Sequence, residues 1–339
     1  MLRTLREVTR DTSEDLPSVS IVIPTYNSER TLAQCLESIA IQDYPRERIE
    51  IIVADGGSKD RTLEIAEKFG VNRILHNSLR TGEAGKAVGV EAAKNEIILL
   101  QDSDNVLNEL DWLRRMVKPF EDGSIVGAEP LYYDYRKEDS LITRYCALLG
   151  MNDPVCLYLG NYDRYSYVTG KWTELPVKTR DDGDYLLLEL DDRNIPTIGA
   201  NGFLVRAREL KKVGHKPYFF DIDVVYQLIR MGQNRFAKVK IGIVHLFANN
   251  VGTFLRKTHR RIRDYLFYEK HGMRNYPWRR LSHERILKFA IYTMLTVPIV
   301  RDSVNGYRKM PDKAWLFHPL ACWLTLFIYG IVFITHFVS

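Results

Sequence analysis

Four short runs rich in branched apolar residues, each closed by a polar or glycine-bearing turn, dominate the first 105 residues. They are VSIVI (19–23), IEIIVAD (49–55), NRILH (72–76) and residues 96–101. Between them lie segments with apolar residues at helical spacing. These are about 29–41, carrying Leu32, Leu36 and Ile39; 60–69, with Ser58 as the expected N-cap; and 83–94. A chain that alternates strand and helix at this spacing is confined to βαβ units and a mainly parallel sheet, so the expected fold class is α/β. Ligands of such sheets bind outside the carboxyl ends of the strands. Three polar clusters fall on that rim: Pro24-Thr25-Tyr26-Asn27, Asp55-Gly56-Gly57 and Asp102-Ser103-Asp104.

Beyond residue 105 the pattern loosens. Residues 111–120 read as a helix and 124–130 as a strand. The stretch 131–185, with many tyrosines and no clean period, reads as a long insertion around a cleft. Residues 199–210 read as loop, strand and helix start, 220–232 as a helix stopped by Gly232, and 235–246 as mostly strand.

Composition narrows the class. The chain has 339 residues, 45% hydrophobic and 27% charged, so a packed core is expected and wholesale disorder is not. Cys35, Cys146, Cys156 and Cys322 form no C-x-x-C pair, which argues against a zinc site or redox dithiol and suits free thiols in a reducing compartment. The net charge of +5 is concentrated: Arg256 to Lys288 holds eleven Lys/Arg against three acids. Such a block suits phosphate, nucleic acid or an anionic membrane surface. Residues 1–17 form a polar lead-in without an apolar core long enough for a signal peptide, so the main body is expected in the cytoplasm.

The last fifty residues change character. Residues 286–300 are apolar but short, and carry Lys288 and Pro298. Residues 314–338 are long enough to span a bilayer. The basic loop between them, with Arg301, Arg308, Lys309 and Lys313, belongs on the cytoplasmic side. One span, 315–338, is therefore favoured, with 286–300 lying in the interface or re-entrant. A partly embedded hairpin is the alternative.

Asp102 and Asp104, after a buried strand, are hard oxygen ligands suited to Mg²⁺ or Mn²⁺ bridging a diphosphate; the alternative is an acidic turn. Tyr26 could stack on a base, with Thr25 beside it. Asp55 could accept a hydrogen bond from a base N–H, and Lys86 could pair with a phosphate. Read singly, each is also ordinary turn or surface chemistry. Tyr158, Tyr162, Tyr165, Tyr167 and Trp172 could stack on sugars, rest on a membrane, or be core aromatics.

Taken together, VSIVIPTYNSERTLAQCLESI, IIVADGGSKDRT, GEAGKAVGVEAAKNEIILLQDSD and FFDIDVVYQLIRMG resemble, in order and spacing, the family 2 glycosyltransferases of GT-A fold over roughly 18–265. The resemblance implies an inverting, metal-dependent transfer from a nucleoside diphosphate sugar, UDP favoured and GDP the alternative. Asp102-Ser103-Asp104 falls on that family's metal motif, Asp104 being the favoured direct ligand, and His245 falls where a ligand histidine often stands. Pro24, Thr25, Tyr26, Asn27, Asp55, Gly56 and Lys86 fall on its nucleotide site, and Asn201 and Gly202 on its acceptor cleft. Asp221 falls on the general base. The acid that usually precedes it is replaced by Phe220, and Asp223 is a second candidate. Arg256, Arg260 and Arg261 could close over the diphosphate or meet anionic lipid heads. The Gln-x-x-Arg-Trp motif of processive members is absent, which implies single-sugar addition.

The implied organisation is a nucleotide-sugar half (18–105), an acceptor half (106–265), a basic interfacial region (266–314) and a membrane helix (315–338). The expected partners are a nucleoside diphosphate sugar, a lipid-linked or glycan acceptor and a cell membrane with the catalytic domain on its cytoplasmic side, not nucleic acid. A sugar nucleotidyltransferase would want a Gly-rich basic loop where PTYNSERT stands. A dehydrogenase would want G-x-G-x-x-G. A catalytically degenerate membrane scaffold is the non-enzymatic rival.

Overall fold

The computed structural model describes residues 16–277 and 283–338, so most of the expected lead-in lies outside the described residues. Ten strands form one sheet: β1 Val19–Thr25, β2 Ile49–Asp55, β3 Arg73–His76, β4 Ile97–Leu100, β5 Asn105–Val106, β6 Gly127–Asp134, β7 Lys178–Asp181, β8 Tyr185–Glu189, β9 Phe203–Arg206 and β10 Arg235–His245. The order is β3-β2-β1-β4-β9-β6-β10-β8-β7, with the short β5 paired to β10. β3, β2, β1 and β4 are parallel, as the early spacing predicts. β9 enters antiparallel between β4 and β6, and so carries the sheet unbroken into the second half of the chain.

Both faces of the parallel part are covered, which is why its strands read as continuous apolar runs. Ile21, Ile23, Val53 and Leu99 pack on one side with Trp112; Val22, Ile52, Ile98 and Leu100 pack on the other with Val90 and Phe203. The Gly82–Ala92 helix lies so close to β1 that a Cβ on Gly89 would stand 2.3 Å from a Val22 methyl carbon. Gly89→Ala is therefore expected to overpack this contact. Helix propensity returns part of the cost, leaving a net loss on the order of 1–2 kcal/mol. A lower thermal unfolding midpoint checks it.

Several sequence expectations shift. Ser58 does not cap the second helix, which runs Thr62–Lys68 behind Arg61; its hydroxyl goes to Asp55 instead. The strand expected at 124–130 begins at Gly127 and runs on to Asp134, inside the tyrosine-rich stretch. The helix expected over 111–120 spans Trp112–Val117 and tightens into a 3₁₀ turn at Lys118–Glu121. The aperiodic stretch holds two helices, Leu141–Leu149 and Val155–Leu159, and the hairpin of β8 and the edge strand β7.

The C-terminal region is mostly helical in its described part. Residues 286–300 are not one segment: helices His283–Leu295 and Val297–Lys309 meet at Thr296, whose φ is +61°, and Pro298 falls in the first turn of the second helix, where its missing N–H costs nothing. The basic connection expected as a loop therefore lies largely within the second helix. A 3₁₀ turn, Lys313–Phe317, leads into helix His318–Val338. Lys313–Thr335 is long and apolar enough, by length and composition, to cross a membrane (mean hydropathy 1.9). Leu316, Phe327 and Ile334 are among its exposed apolar side chains.

Candidate active site

The carboxyl ends of β1, β2 and β4 do meet on one rim. A cavity of about 2110 Å³ opens over it, lined there by Pro24, Thr25, Tyr26, Asn27, Asp102, Ser103 and Asp104. That exceeds an ordinary small-molecule pocket and leaves room for two reactants. Tyr26 is half exposed at its mouth. Asp55 and Gly56 are not on its wall. Asp55 is buried, and its carboxylate accepts from Thr25 Oγ1 (2.9 Å), Gly57 N (2.8 Å), Ser58 N (2.8 Å) and Ser58 Oγ (2.5 Å). Four accepted bonds fill a carboxylate's capacity. In this structure Asp55 therefore shapes the loop behind Tyr26.

After β4 the chain turns sharply. Asn105 N donates to the Asp102 carbonyl (2.9 Å), and Asp102 N donates to Asn105 Oδ1 (3.1 Å). β5 then pairs antiparallel with the end of β10, Asn105 opposite His245. That register brings His245 Nε2 to 3.4 Å from Asp104 Oδ1. Lys257 Nζ lies 2.9 Å from Asp104 Oδ2. Burial pushes the Asp104 carboxyl up, but the Lys257 ammonium and His245 outweigh it and hold the group well below the usual carboxylate range.

Asp102 turns the other way. Lys86, in the first turns of the Gly82–Ala92 helix, places Nζ 2.9 Å and 3.1 Å from the two Asp221 oxygens and 3.7 Å from Asp102 Oδ1. Burial disfavours the ammonium, yet the two carboxylates hold its pKa above the ordinary lysine value. Asp221 opens the Asp221–Arg230 helix and faces the cavity. Burial pushes its carboxyl up to about 6, against the opposing pull of Lys86 and with the help of the Asp102 charge.

Asp223 is elsewhere. It is buried and bound to Arg274 (2.6 Å), Tyr276 N (2.8 Å) and Asn275 N, and so fastens the 274–276 segment to the helix. The two candidate bases are thereby told apart: only Asp221 reaches the cavity. Phe220 is a largely buried part of the wall, 4.8 Å from the Tyr268 ring and 4.4 Å beneath the Arg274 guanidinium.

The residues present fit a divalent cation. A carboxylate oxygen and an imidazole nitrogen converge; the carboxylate suits Mn²⁺ or Mg²⁺, and the imidazole favours the softer Mn²⁺ of the two. The Lys257 ammonium shows that a cation is held there. Among the described residues no three His, Cys, Asp or Glu side chains converge, so the remaining ligands would be substrate oxygens and water.

Residues 20–177 match the family model Glycosyl transferase family 2. The matched segment, just under half of the chain, is similar to that family. Among relatives, glycosyltransferase GlyG of Streptococcus pneumoniae is 34% identical over 128 residues, 36% of this chain and 41% of that one. Poly(ribitol-phosphate) beta-N-acetylglucosaminyltransferase TarS of Staphylococcus aureus is 38% identical over 95 residues, 26% and 17% respectively. The chain spans less than half the length of the curated relatives it matches. The mannosyltransferase PcManGT of Pyrobaculum calidifontis, solved in complex with GDP-Man and Mn²⁺, shares the fold at 16% identity and TM-score 0.52, over 93% of this chain and 86% of that one. The architecture is thus the α/β GT-A fold.

Several functional candidates lie beyond residue 177, outside the matched segment. Asn201 lines the cavity with φ +51°; Gly202 sits behind it, φ +86°, against Ile243 and Trp112. Arg256 and Arg260 are exposed on the cavity wall. Arg261 also lines it, but its guanidinium is taken by Asp153 (3.1 Å), which in turn accepts from Tyr329 of the C-terminal helix. Tyr162 is buried, Tyr165 and Tyr167 pack edge to face, Trp172 covers Lys238, and Tyr158 donates to Asp302 (3.0 Å). None of these five lines the cavity; Tyr162 is a core residue, and the other four are part-buried against neighbouring side chains.

Two features escaped the sequence. Lys257 lies inside the basic block, but its partner shows only once Val251–Lys270 is seen as one helix, with Lys257 and Arg261 on one face. The second is a buried quartet, Glu129, Asp163, Arg164 and Lys238. Glu129 pairs with Arg164 (2.8 Å) and Lys238 (2.5 Å) and accepts from Gly199 N (3.0 Å), while Arg164 donates to the carbonyls of Ala200 (2.9 Å) and Asn201 (3.1 Å). The quartet sets the 199–201 loop. No local pattern announces it, because its members come from three separate parts of the chain.

Proposed function

We propose that the chain is an inverting, non-processive glycosyltransferase. It moves a sugar from a uridine or guanosine diphosphate sugar to a lipid-linked acceptor at the cytoplasmic face of a cell membrane. The observation that carries this reading is the shared lysine: Lys86 bridges Asp221 and Asp102 on one wall of the cavity that also holds Asp104 and His245. A carboxylate with a raised pKa thus stands beside a cluster suited to a diphosphate.

Asp221 takes the proton of the acceptor hydroxyl as its oxygen attacks the anomeric carbon. The bond from that carbon to the nucleoside diphosphate oxygen breaks on the opposite face. Lys86 offers its ammonium to the leaving diphosphate, and Tyr26 offers a ring face to the base. Asp104 and His245 would hold Mn²⁺ or Mg²⁺ against the diphosphate oxygens. A divalent cation there offsets charge on the leaving group. Phe220 and the 199–201 loop exclude water and shape the acceptor side.

Membrane attachment is supported by the apolar surface of the C-terminal helix. The cavity also extends to Phe289, Leu326 and Phe333, so an acceptor with an apolar tail would find apolar walls at that end. The test is label transfer. Purified protein is given membrane lipid extract and, in turn, labelled UDP- and GDP-sugars with Mn²⁺. Label from one donor should enter the organic phase. Label that stays wholly in the aqueous phase with every donor would reject the lipid acceptor.

A further inference from the structure

Lys257 has an arrangement that neither fold nor family explains. Its ammonium lies 2.9 Å from Asp104 Oδ2 and 4.8 Å from the centre of the Phe247 ring, on the carboxylate that would receive the metal. Two cations do not share one carboxylate cheaply, because their mutual repulsion at contact distance is strong where water is partly excluded. The carboxylates beside it are taken: Asp153 by Arg261 and Tyr329, Asp102 and Asp221 by Lys86. A displaced Lys257 therefore needs a new anion.

The helix that carries it stays fixed. Asn250 caps Val251–Lys270 through Thr253 N (2.8 Å), Phe254 is fully buried, and Arg261 ties the same face to Asp153. Only the flexible four-carbon stem of Lys257 is left to move. Resting on the donor reading above, we infer that Lys257 is an internal counter-cation: it holds Asp104 in the donor-free protein and passes to the diphosphate when metal and nucleotide arrive together. Lys257 then binds the donor as well as guarding the metal seat. Metal and nucleotide become positively coupled ligands, each tightening the other by the same factor.

The test titrates Mn²⁺ into the full-length, detergent-solubilised protein, with and without UDP or GDP, following free Mn²⁺ by electron paramagnetic resonance. Wild type should bind Mn²⁺ weakly alone and more tightly with nucleotide. Lys257→Met should bind Mn²⁺ alone on the order of tenfold more tightly than wild type, and nucleotide should add less. Lys257→Arg keeps the charge and should resemble wild type. Lys270→Met, which removes a cation from the same helix but off the cavity wall, should change Mn²⁺ affinity by no more than about twofold. Lys257→Met binding Mn²⁺ no more tightly than wild type, or no more tightly than Lys270→Met, would overturn the inference. So would a wild type whose Mn²⁺ affinity ignores nucleotide, which would make Lys257 a permanent cation at this site. Absence of nucleotide binding under all conditions would instead reject the donor reading, and the nucleotide-free arm would still report on Lys257.

Discussion

Asp221→Asn is expected to lower kcat by about 10²- to 10⁴-fold, the usual share of a positioned base, while nucleotide affinity stays close to wild type. Asparagine keeps the shape of the side chain but cannot take the acceptor proton. Lys86 keeps Asp102 as a partner, so the donor side of the cavity is preserved. The same assignment fixes a pH dependence. Burial raises the Asp221 carboxyl to about 6, and a base works only when deprotonated. kcat/KM should therefore fall with unit slope as pH drops below about 6 and level off above it. Asp223→Asn is the contrast: it loosens Arg274 and the 274–276 backbone, so it should reduce stability without moving that acid limb. A pH profile for both variants separates the two roles.

Glu129→Gln is expected to be the most destabilising single change among the site's supporting residues. Glu129 is fully buried with Arg164 and Lys238 against it, and Asp163 is the only other acid in the quartet. Removing one charge leaves a buried excess of positive charge, and breaking such a set costs about 3–5 kcal/mol. The loss should appear as a drop in thermal midpoint. Where the variant still folds, it should also weaken acceptor use more than nucleotide binding, since the quartet supports the 199–201 loop rather than the β1 and β4 turns.

The parallel half of the fold was legible because its signals are local. Each buried strand is a contiguous apolar run, and each turn that ends one carries its own polar residues. Asp102, Asp104 and Tyr26 each follow the end of an apolar run on one rim, and the cavity joins them. Asp221 needed family spacing as well as a helix start, because a first-turn acid is ordinary helix chemistry. What separates it from Asp223 is burial against Arg274, a contact 51 residues away in sequence. Lys257 and the quartet were illegible for the same reason: their meaning lies in long-range pairing. Asp55 reads the other way. Its sequence position marks it as a binding residue, whereas its side chain is occupied by its own loop.

Asp104 and His245 as a metal seat serving a nucleoside diphosphate can be tested by calorimetric titration of UDP and of GDP, each with and without Mn²⁺, on wild type and Asp104→Ala. Mn²⁺-dependent binding of one nucleotide to wild type is expected, with loss of that dependence in Asp104→Ala. Binding of neither nucleotide in the presence of Mn²⁺, or unchanged Mn²⁺ dependence in Asp104→Ala, would refute the seat.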